Sequence, residues 1–444
     1  MTTAPATPAA SALDTAAAKV NRHVMPLFLL MFVANYVDRV NLGFVSNYLH
    51  TDLGMGAAAF GLGSGLFFVS YAIFEVPSNL LMVKVGARAW LTRIMFTWGI
   101  VAAAMAFTRG ETSFYVLRFL LGVAEAGFFP GVVYYFTQWL PQRERGKAIA
   151  VFLGGSALAS VVCGPITGAL LSVSGLGLHG WQWMFLIEGL FSIALCVASW
   201  VLVKSHPRDA AWLTDAEKDA LETMVATEQA EREAAAGTRL PLGTLLRDPQ
   251  ILLFCFLYFA IQLTIYAATF WLPTIIRRMG GLTDFEVGLY NAIPWLIAML
   301  AMYGFALLST RWRFQQGWLA TALVIAAIGL FASTSASPVF SFVAICFSAL
   351  GFKAAASLFW PIPQGYLDAR VAAGVIALIN SLGNLGGFFA PAAFGYLQQR
   401  TGSISGGLYG LAVASLIAAA AAFLTKNQRT NRPWTPHPEQ HKAL

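Results

Sequence analysis

The sequence predicts an all-α membrane protein with twelve transmembrane helices in two bundles of six, and three observations support this fold class. Of its 444 residues, 58% are hydrophobic and only 11% are charged, whereas soluble globular proteins average about a quarter charged residues. Apolar runs recur along the chain, and most approach the roughly 20 residues that cross a bilayer. One long polar stretch, 204–248, separates six runs from six others.

The predicted spans are numbered 1 to 12 in chain order. They lie near 24–46, 60–82, 90–108, 112–138, 147–172, 181–203, 249–276, 284–308, 316–334, 338–360, 370–397 and 405–425. Lys19, Arg22 and His23 directly precede the first run, a pattern that favours a retained span over a signal peptide. The predicted organisation is therefore a tail (1–23), a first bundle (24–203), a linker (204–248), a second bundle (249–425) and a second tail (426–444).

Two polar segments outside the spans have predictable structures. Residues 1–18 are rich in Ala, Thr, Ser and Pro, and we expect a disordered tail there. In the linker, the piece from Thr214 to Ala236 has the composition of a surface helix. Thr214 is its expected N-cap, and Glu217 would complete a capping box. We expect the linker to join the two halves and to carry no chemistry.

The distribution of basic residues predicts the orientation. With the N-terminus in the cytoplasm, most of the 28 lysines and arginines lie on the cytoplasmic side, and the predicted outer loops hold Arg109, Arg277, Arg278 and Arg400. Positive charge is enriched in cytoplasmic loops, so both termini and the linker are predicted to be cytoplasmic. This placement also accounts for the net charge of +7 without a nucleic-acid partner.

The sequence lacks the motifs that usually indicate an enzyme. The six histidines lie outside the middle of the predicted spans, and no metal-ligand or phosphate-loop motif occurs. The four cysteines stand alone in apolar runs, where they read as small packing residues. We therefore expect no catalytic site, no metal and no cofactor.

Ionisable residues inside the spans are the strongest functional signal, because each costs about 2.5–3.5 kcal/mol at mid-membrane on insertion scales and usually faces a cavity or a partner. They are Asp38, Arg39, Glu75, Arg118, Glu125, Glu188 and Lys353. Arg118 and Glu125 are seven residues apart, which places them on one helix face. The side chains of Asp38 and Arg39 diverge by about 100°, so one can face a cavity and the other neighbouring helices.

Each of these residues also has a structural interpretation. Arg118 and Glu125 could form an ion pair that only ties helices together. Glu188 lies near the predicted outer start of span 6, where a packing role is favoured. Glu75 lies in EVPSN, next to an expected proline break, where a structural or gating role is favoured. Lys353 could either reach the membrane interface or meet a second substrate carboxylate.

Polar and aromatic residues at helical spacing complete the candidate set. Three pairs are four residues apart and share a face: Tyr71 with Glu75, Gln262 with Tyr266, and Asn380 with Asn384. The aromatic pocket candidates are Tyr36, Tyr71, Tyr266, Trp271 and Trp360.

This set suits the binding of an anion together with protons. Arg118 keeps its charge, and its planar fork matches a carboxylate. A carboxylate in a low dielectric favours its neutral form, so Asp38 or Glu125 could take up a proton. One proton per monoanion cancels the charge that an inside-negative potential opposes, and two protons make entry favourable.

Several strings resemble the anion:cation symporter family of the major facilitator superfamily. They are NYVDRVNLGF (35–44), EVPSN (75–79), RFLLGVAEAGFFPG (118–131), WLPQRERGKA (139–148), WQWMFLIEGL (181–190) and GNLGGF (383–388). The resemblance covers nearly the whole chain except the tails and the linker. It implies proton-driven uptake of small organic anions, such as sugar acids, tartrate or phthalate, by a monomer in the bacterial inner membrane.

The resemblance also implies roles for particular residues. Asp38 and Glu125 match the proton carriers, and Arg39 or Arg118 matches the substrate arginine. The remaining pocket positions match Tyr71, Ser156, Trp360 and Asn384. Ser156 is small where some relatives have a larger amide, which leaves the substrate open.

Two departures keep alternatives open. The loop after span 2 has Val83 where the superfamily normally has an acidic residue, although Lys84 and Arg88 remain as gating candidates. The Gly-Pro element in 164–168 also occurs in drug/proton antiporters. A proton-coupled antiporter or a facilitator of small organic compounds is therefore the alternative to a symporter.

Overall fold

The computed structural model describes residues 8–234, 247–311, 314–367 and 369–426. Twelve helical segments in these ranges are long and apolar enough to cross a membrane, which confirms the predicted all-helical, twelve-span fold. Their bounds are Ala12–Leu53, Ala57–Val85, Ala87–Phe107, Glu111–Trp139, Gln142–Leu171, Gly180–Leu202, Pro249–Arg277, Asp284–Ser309, Gln315–Ala332, Pro338–Tyr366, Val375–Thr401 and Ser405–Ala422.

The first helix begins much earlier than predicted. It runs over Pro8–Val40, so the expectation of disorder is wrong for residues 8–18, while residues 1–7 lie outside the described ranges. Alanine is the best helix former, and Ala16 and Ala17 are buried. The reason for the difference is tertiary packing, because this helix lies against the linker helix Asp215–Ala234.

The linker helix begins as predicted. The backbone N–H of Thr214 donates to Glu217 Oε2 at 2.8 Å, and the Glu217 N–H donates to Thr214 Oγ1 at 3.4 Å, which is a capping box. Lys19 Nζ also lies 2.8 Å from Glu217 Oε2. Although partial desolvation opposes it, these hydrogen bonds lower the pKa of Glu217 to about 2. The linker helix is thus attached to the first span by an ion pair.

Four of the described spans are interrupted rather than continuous. The breaks in the helical hydrogen-bond pattern lie at Asn41 in span 1, after Glu125 in span 4, at Trp360 in span 10 and at Leu385 in span 11. At Asn41, Trp360 and Leu385 the backbone torsions stay helical. Span 4 alone among these four leaves the helical conformation, at Ala126 and Gly127. An interrupted helix inside a membrane exposes backbone groups that need partners.

The break in span 4 is built by Gly127 and Ser78. Gly127 has a φ of +89°, and a Cβ added there would lie 2.4 Å from Ser78 Oγ. Ser78 Oγ donates to the carbonyl oxygen of Ala126 at 2.6 Å, and Trp90 Nε1 donates to Ser78 Oγ at 3.0 Å. The carbonyl freed by the interruption therefore has a partner, as a backbone group in a membrane requires.

The first six spans contact the last six tightly at one end of the molecule, which we call the closed end. There, a Cβ on Gly164 of span 5 would lie 2.3 Å from the Gly288 carbonyl oxygen of span 8, and a Cβ on Gly61 of span 2 would lie 2.1 Å from that of Pro391 in span 11. Small residues at crossings allow such close approach of helix backbones.

A polar cluster also joins the two groups of spans at the closed end. Tyr48 Oη of span 1 donates to Asp284 Oδ2 of span 8 at 2.5 Å, and Arg277 Nη2 donates to Asp284 Oδ1 at 2.5 Å. The Arg277 guanidinium carbon is 5.6 Å from the centre of the Tyr48 ring. This cluster crosses from the first group of spans to the second.

Candidate functional site

Glu125 is the centre of a buried charge cluster between spans 1 and 4. Arg39 donates two hydrogen bonds to Glu125 Oε1, one of them from Nε at 2.9 Å, and Asn35 Nδ2 donates to the same oxygen. The Arg39 side chain is 15% exposed and that of Glu125 is fully buried. Since Glu125 ends the helix Glu111–Glu125, the break in span 4 fixes the position of this carboxylate.

Arg118 is buried but has spare donors. It is 1% exposed, and its Nε and Nη2 make no hydrogen bond to any described residue. Its guanidinium carbon is 4.9 Å from the centre of the Phe67 ring, and that of Arg39 is 5.1 Å from the same centre. The expected ion pair between Arg118 and Glu125 is not formed in this structure, where Glu125 pairs with Arg39.

Asp38 has its hydrogen-bond partner on a different span from the partner of Arg39. Trp98 Nε1 of span 3 donates to Asp38 Oδ2. Glu188 of span 6 is buried and accepts a hydrogen bond from Asn41 Nδ2 at the break in span 1. Glu188 is therefore a member of a second polar group in the interior of the first six spans.

Aromatic residues surround Arg39 on the side of the second group of spans. The Arg39 guanidinium carbon lies 5.1 Å from the centre of the Tyr71 ring, within the range of a cation–π contact. Tyr266 of span 7 packs against Phe68 at 4.4 Å between ring centres, and its hydroxyl interacts electrostatically with Arg39. Arg39 is thus in contact with spans 2 and 7 as well as span 4.

The last six spans contribute amides and aromatic rings. Gln262 Nε2 donates to Asn384 Oδ1 at 3.0 Å, and Asn380 lies half-buried one helical turn before Asn384. The Trp360 ring, at the break in span 10, lies 4.8 Å from that of Tyr258.

Lys353 connects the two groups of spans. Its Nζ lies 5.7 Å from the centre of the Tyr36 ring in span 1 and 6.0 Å from that of Trp295 in span 8. It therefore points toward the interface between the groups and not toward the membrane surface.

Other predicted residues are not brought to this cluster. Trp271 is buried, with its Nε1 donating to Gln398 Oε1 at 2.6 Å and its ring 4.5 Å from Phe394, which is a packing role. Ser156 Oγ is half-buried and donates within its own helix, to the Leu153 carbonyl oxygen at 2.8 Å.

The gating candidates lie in and after span 2. The helix continues through Pro77, so the expected proline break in this segment is wrong. Glu75 is half-buried and Lys84 is exposed. Arg88 Nε donates to the carbonyl oxygen of Trp200 at 2.9 Å, with its guanidinium carbon 4.2 Å from that ring, so it contacts span 6 of its own group. A gating role for these three residues stays a prediction.

Sequence reasoning missed four residues of the two polar groups: Asn35, Asn41, Phe67 and Trp98. Helical spacing could have found three of them. Asn35 is four residues before Arg39, Asn41 is three residues after Asp38, and Phe67 is four residues before Tyr71, so each shares a face with a predicted residue. Trp98 carries no such signal, because its partner lies on another span.

Twelve spans with charged side chains facing one another in the interior are the arrangement expected of a membrane transporter, and the comparisons with known proteins place the chain among transporters and not enzymes. The Major Facilitator Superfamily model matches residues 27–391. A putative tartrate transporter of Agrobacterium vitis is 39% identical, covering 96% of this chain and 98% of that protein. A quinolone resistance transporter of Acinetobacter baumannii is 38% identical, covering 90% and 92%.

A solved structure is similar in fold. It is that of a bacterial homolog of the human lysosomal transporter Spinster, with a TM-score of 0.76 and 17% identity, covering 91% of this chain and 96% of that one. The chain belongs to the Major Facilitator Superfamily, in agreement with the resemblance found in its motifs.

Proposed function

We propose that the protein imports a small organic carboxylate together with protons across a bacterial plasma membrane by alternating access. The observation that carries this proposal is the buried guanidinium of Arg118, whose Nε and Nη2 have no hydrogen-bond partner among the described residues. Leaving such donors unpaired is costly, and a carboxylate is the ligand that suits a guanidinium fork. Arg118 is thus the proposed substrate anchor.

Arg39 is the proposed second anchor, and Glu125 controls it. While Glu125 is charged, it holds Arg39 through two hydrogen bonds. A proton on Glu125 removes its negative charge and weakens this pair, so Arg39 becomes free for the substrate carboxylate. Proton binding and anion binding are then favourable together, which is the thermodynamic requirement for symport.

Asp38 is the proposed second proton carrier. It is buried, as Glu125 is, and interacts electrostatically with both Glu125 and Arg118. Two protons with a monoanion carry one net positive charge inward, so a potential of 100 mV contributes about 2.3 kcal/mol to uptake. A dianion with two protons would enter without net charge.

The polar groups on the second half favour a substrate with more than one polar group. Lys353, Gln262 and Asn384 are proposed to bind a second carboxylate or hydroxyls, with Tyr36, Tyr71, Tyr266, Trp360, Asn380 and Ser156 as further lining residues. The 39% identity to a putative tartrate transporter supports a hydroxylated dicarboxylate. Tartrate is therefore the first compound to test.

The proposed movement is a rocking of the bundle 24–203 against the bundle 249–425, with Glu75, Lys84 and Arg88 as gating residues. The proposed topology places the tails 1–23 and 426–444 and the linker 204–248 in the cytoplasm, on the evidence of the basic residues in the loops. A monomer is proposed as the working unit.

A second candidate function is proton-coupled export. The 38% identity to a quinolone resistance transporter favours it, as does the Gly-Pro element in span 5. The same arginines would serve as anchors for an exported carboxylate. Export and import differ in whether the protons move against or with the substrate.

The test uses purified protein in proteoliposomes. We expect tartrate to accumulate when the outside is acidic, and a protonophore to abolish the accumulation. A passive facilitator would equilibrate tartrate without accumulating it, and an antiporter would accumulate it when the proton gradient is reversed. Arg118→Ala should abolish uptake, whereas Arg109→Ala, an exposed loop change, should not.

The class of substrate is tested separately by a thermal-shift screen of the purified protein against small carboxylates. A compound that stabilises the wild type but not Arg118→Ala identifies both the substrate class and its anchor. A stabilising carboxylate that acts equally on Arg118→Ala contradicts the proposed role of Arg118.

A further inference from the structure

A second pair of carboxylates lies in the interior of the first six spans, behind the Arg39–Glu125 pair. Asp38 of span 1 is 4% exposed and Glu188 of span 6 is 8% exposed. The two carboxylates interact electrostatically, with Asn41 and Trp98 as their hydrogen-bond donors. No described cation forms an ion pair with either acid. Like charges in a low dielectric raise the cost of ionising both groups.

The hydrogen bonds around Glu188 are incomplete. Asn41 Nδ2 donates to Glu188 Oε2, but Glu188 Oε1 and Asn41 Oδ1 are buried atoms without a partner in the described part of the chain. Both orphan atoms are acceptors, so neither can satisfy the other. A proton on Glu188 Oε1 would turn that atom into a donor. Buried polar groups are nearly always satisfied, and one proton is the smallest ligand that achieves this.

The groups that face Glu188 leave a proton as the favoured ligand. They are Asp38 of span 1 and Cys163 of span 5. Of the two acids Asp38 and Glu188, the charged groups Glu125, Arg118 and Arg39 interact electrostatically with Asp38 alone. No three His, Cys, Asp or Glu side chains come together as metal ligands in the described ranges.

We propose that Glu188 and Asp38 are a carboxylate pair that holds one proton in the empty transporter. This rests on the proposed function, because it makes Glu188 a third acid of the same coupling system. The proton passes from a carboxylate oxygen of one residue to a carboxylate oxygen of the other residue, and no further reactant is needed. Titrations of such neighbours belong to the pair and not to either residue.

The position of Asn41 links this pair to the movement of the protein. Asn41 lies between the helices Pro8–Val40 and Leu42–Leu53, where the hydrogen-bond pattern of span 1 is interrupted while the backbone torsions stay helical. A change of angle between these two helices would displace the amide that donates to Glu188. The site of the proton would then depend on the conformation of span 1. Glu188 acts in this scheme as a positioning residue for the proton of Asp38, without touching the substrate.

The experiment is infrared spectroscopy of the purified protein, without substrate, at neutral pH. We expect a band of protonated carboxylic acid that shifts in D₂O, is lost in Glu188→Gln and persists in Glu125→Gln. Absence of the band in the wild type, or its persistence in Glu188→Gln, would overturn the proposal. Loss of the band on replacing potassium by sodium would assign a cation to the site and overturn it as well.

Transport measurements separate coupling from packing. Glu188→Gln should keep tartrate counterflow within about twofold but lose most of the accumulation driven by a pH gradient, and Glu188→Asp should restore it. Equal loss of both activities would show a packing role and overturn the proposal. If Glu188→Gln does not fold, Asn41→Leu is the second variant, because it removes only the amide that donates to Glu188. It should shift the frequency of the infrared band of the protonated acid, and an unchanged frequency would overturn the proposal. Because the infrared result needs no transport, it stands or falls independently of the proposed symport.

Discussion

Glu125→Gln is expected to separate anion binding from proton binding. In the wild type, an incoming carboxylate competes for Arg39 with Glu125, whose Oε1 accepts two hydrogen bonds from this guanidinium. Glutamine has nearly the same shape but no charge, so Arg39 stays available at every pH. The variant should therefore bind the anion at alkaline pH as the protonated wild type does at acidic pH.

The magnitude follows from the bonds that the substrate must displace. A hydrogen bond to a charged group contributes about 1.5–3 kcal/mol, and 1.4 kcal/mol corresponds to about tenfold in affinity. Loss of one such competing bond therefore predicts about 10- to 100-fold tighter binding at alkaline pH. At acidic pH, where Glu125 is neutral in both proteins, the affinities should agree.

The assay is calorimetric titration with tartrate, or with the carboxylate that the thermal-shift screen selects, across a range of pH. Uptake driven by a pH gradient should be lost in the variant while counterflow remains. Glu111→Gln is the matched control, since Glu111 is exposed at the start of the same helix. The reasoning is refuted if Glu125→Gln keeps the wild-type dependence of affinity on pH, or binds more weakly at alkaline pH.

Three further predictions concern the closed end and the linker. In Gly288→Ala, the new Cβ would lie 2.2 Å from the Gly164 carbonyl oxygen, so the closed end cannot close and transport should fall more than about tenfold. The control is Gly304→Ala on the same helix, where a Cβ meets nothing within 4 Å and transport should be normal. Equal activity of both variants would contradict this prediction. Tyr48→Phe removes the hydrogen bond to Asp284 of span 8 and so weakens the closed end. The distance between spin labels in loops 172–179 and 278–283 should therefore lengthen. An unchanged distance distribution would be evidence against a role of Tyr48 in closure. The pKa of Glu217 is lowered from 4.5 to about 2, so the contact of Glu217 with the first span is complete above about pH 4.5 and is lost as the pH falls towards 2. Proteolysis of the linker should detect this loss, and Glu217→Gln should be cleaved faster than the wild type at neutral pH. Cleavage equal to the wild type would exclude the contact.

The twelve spans were predictable because a bilayer demands long apolar helices, and this demand leaves a strong pattern in the sequence. The capping box at Thr214 was predictable because it depends on residues three apart. The helix at residues 8–18 was not, since its stability comes from packing against a linker helix about 200 residues away. Local composition carries no record of that contact.

The candidate site was predictable as a set of residues but not as a set of pairs. Burial of charge in a span is visible in sequence, so Arg39, Arg118 and Glu125 stand out. Which arginine meets Glu125 depends on how spans 1 and 4 face each other, and the structure selects Arg39. The position of the span 4 break, which depends on a close contact between Gly127 and Ser78, also required the tertiary structure.

The internal pairing of charges has a consequence for the empty transporter. Arg39 and Arg118 face a charged Glu125 and, with one shared proton, a single negative charge on Asp38 and Glu188, so these five side chains together carry no net charge. In the return step without cargo, this cluster would then move no net charge through the membrane field. In the loaded step with two added protons, a monoanion would give an inward positive current and a dianion would give none.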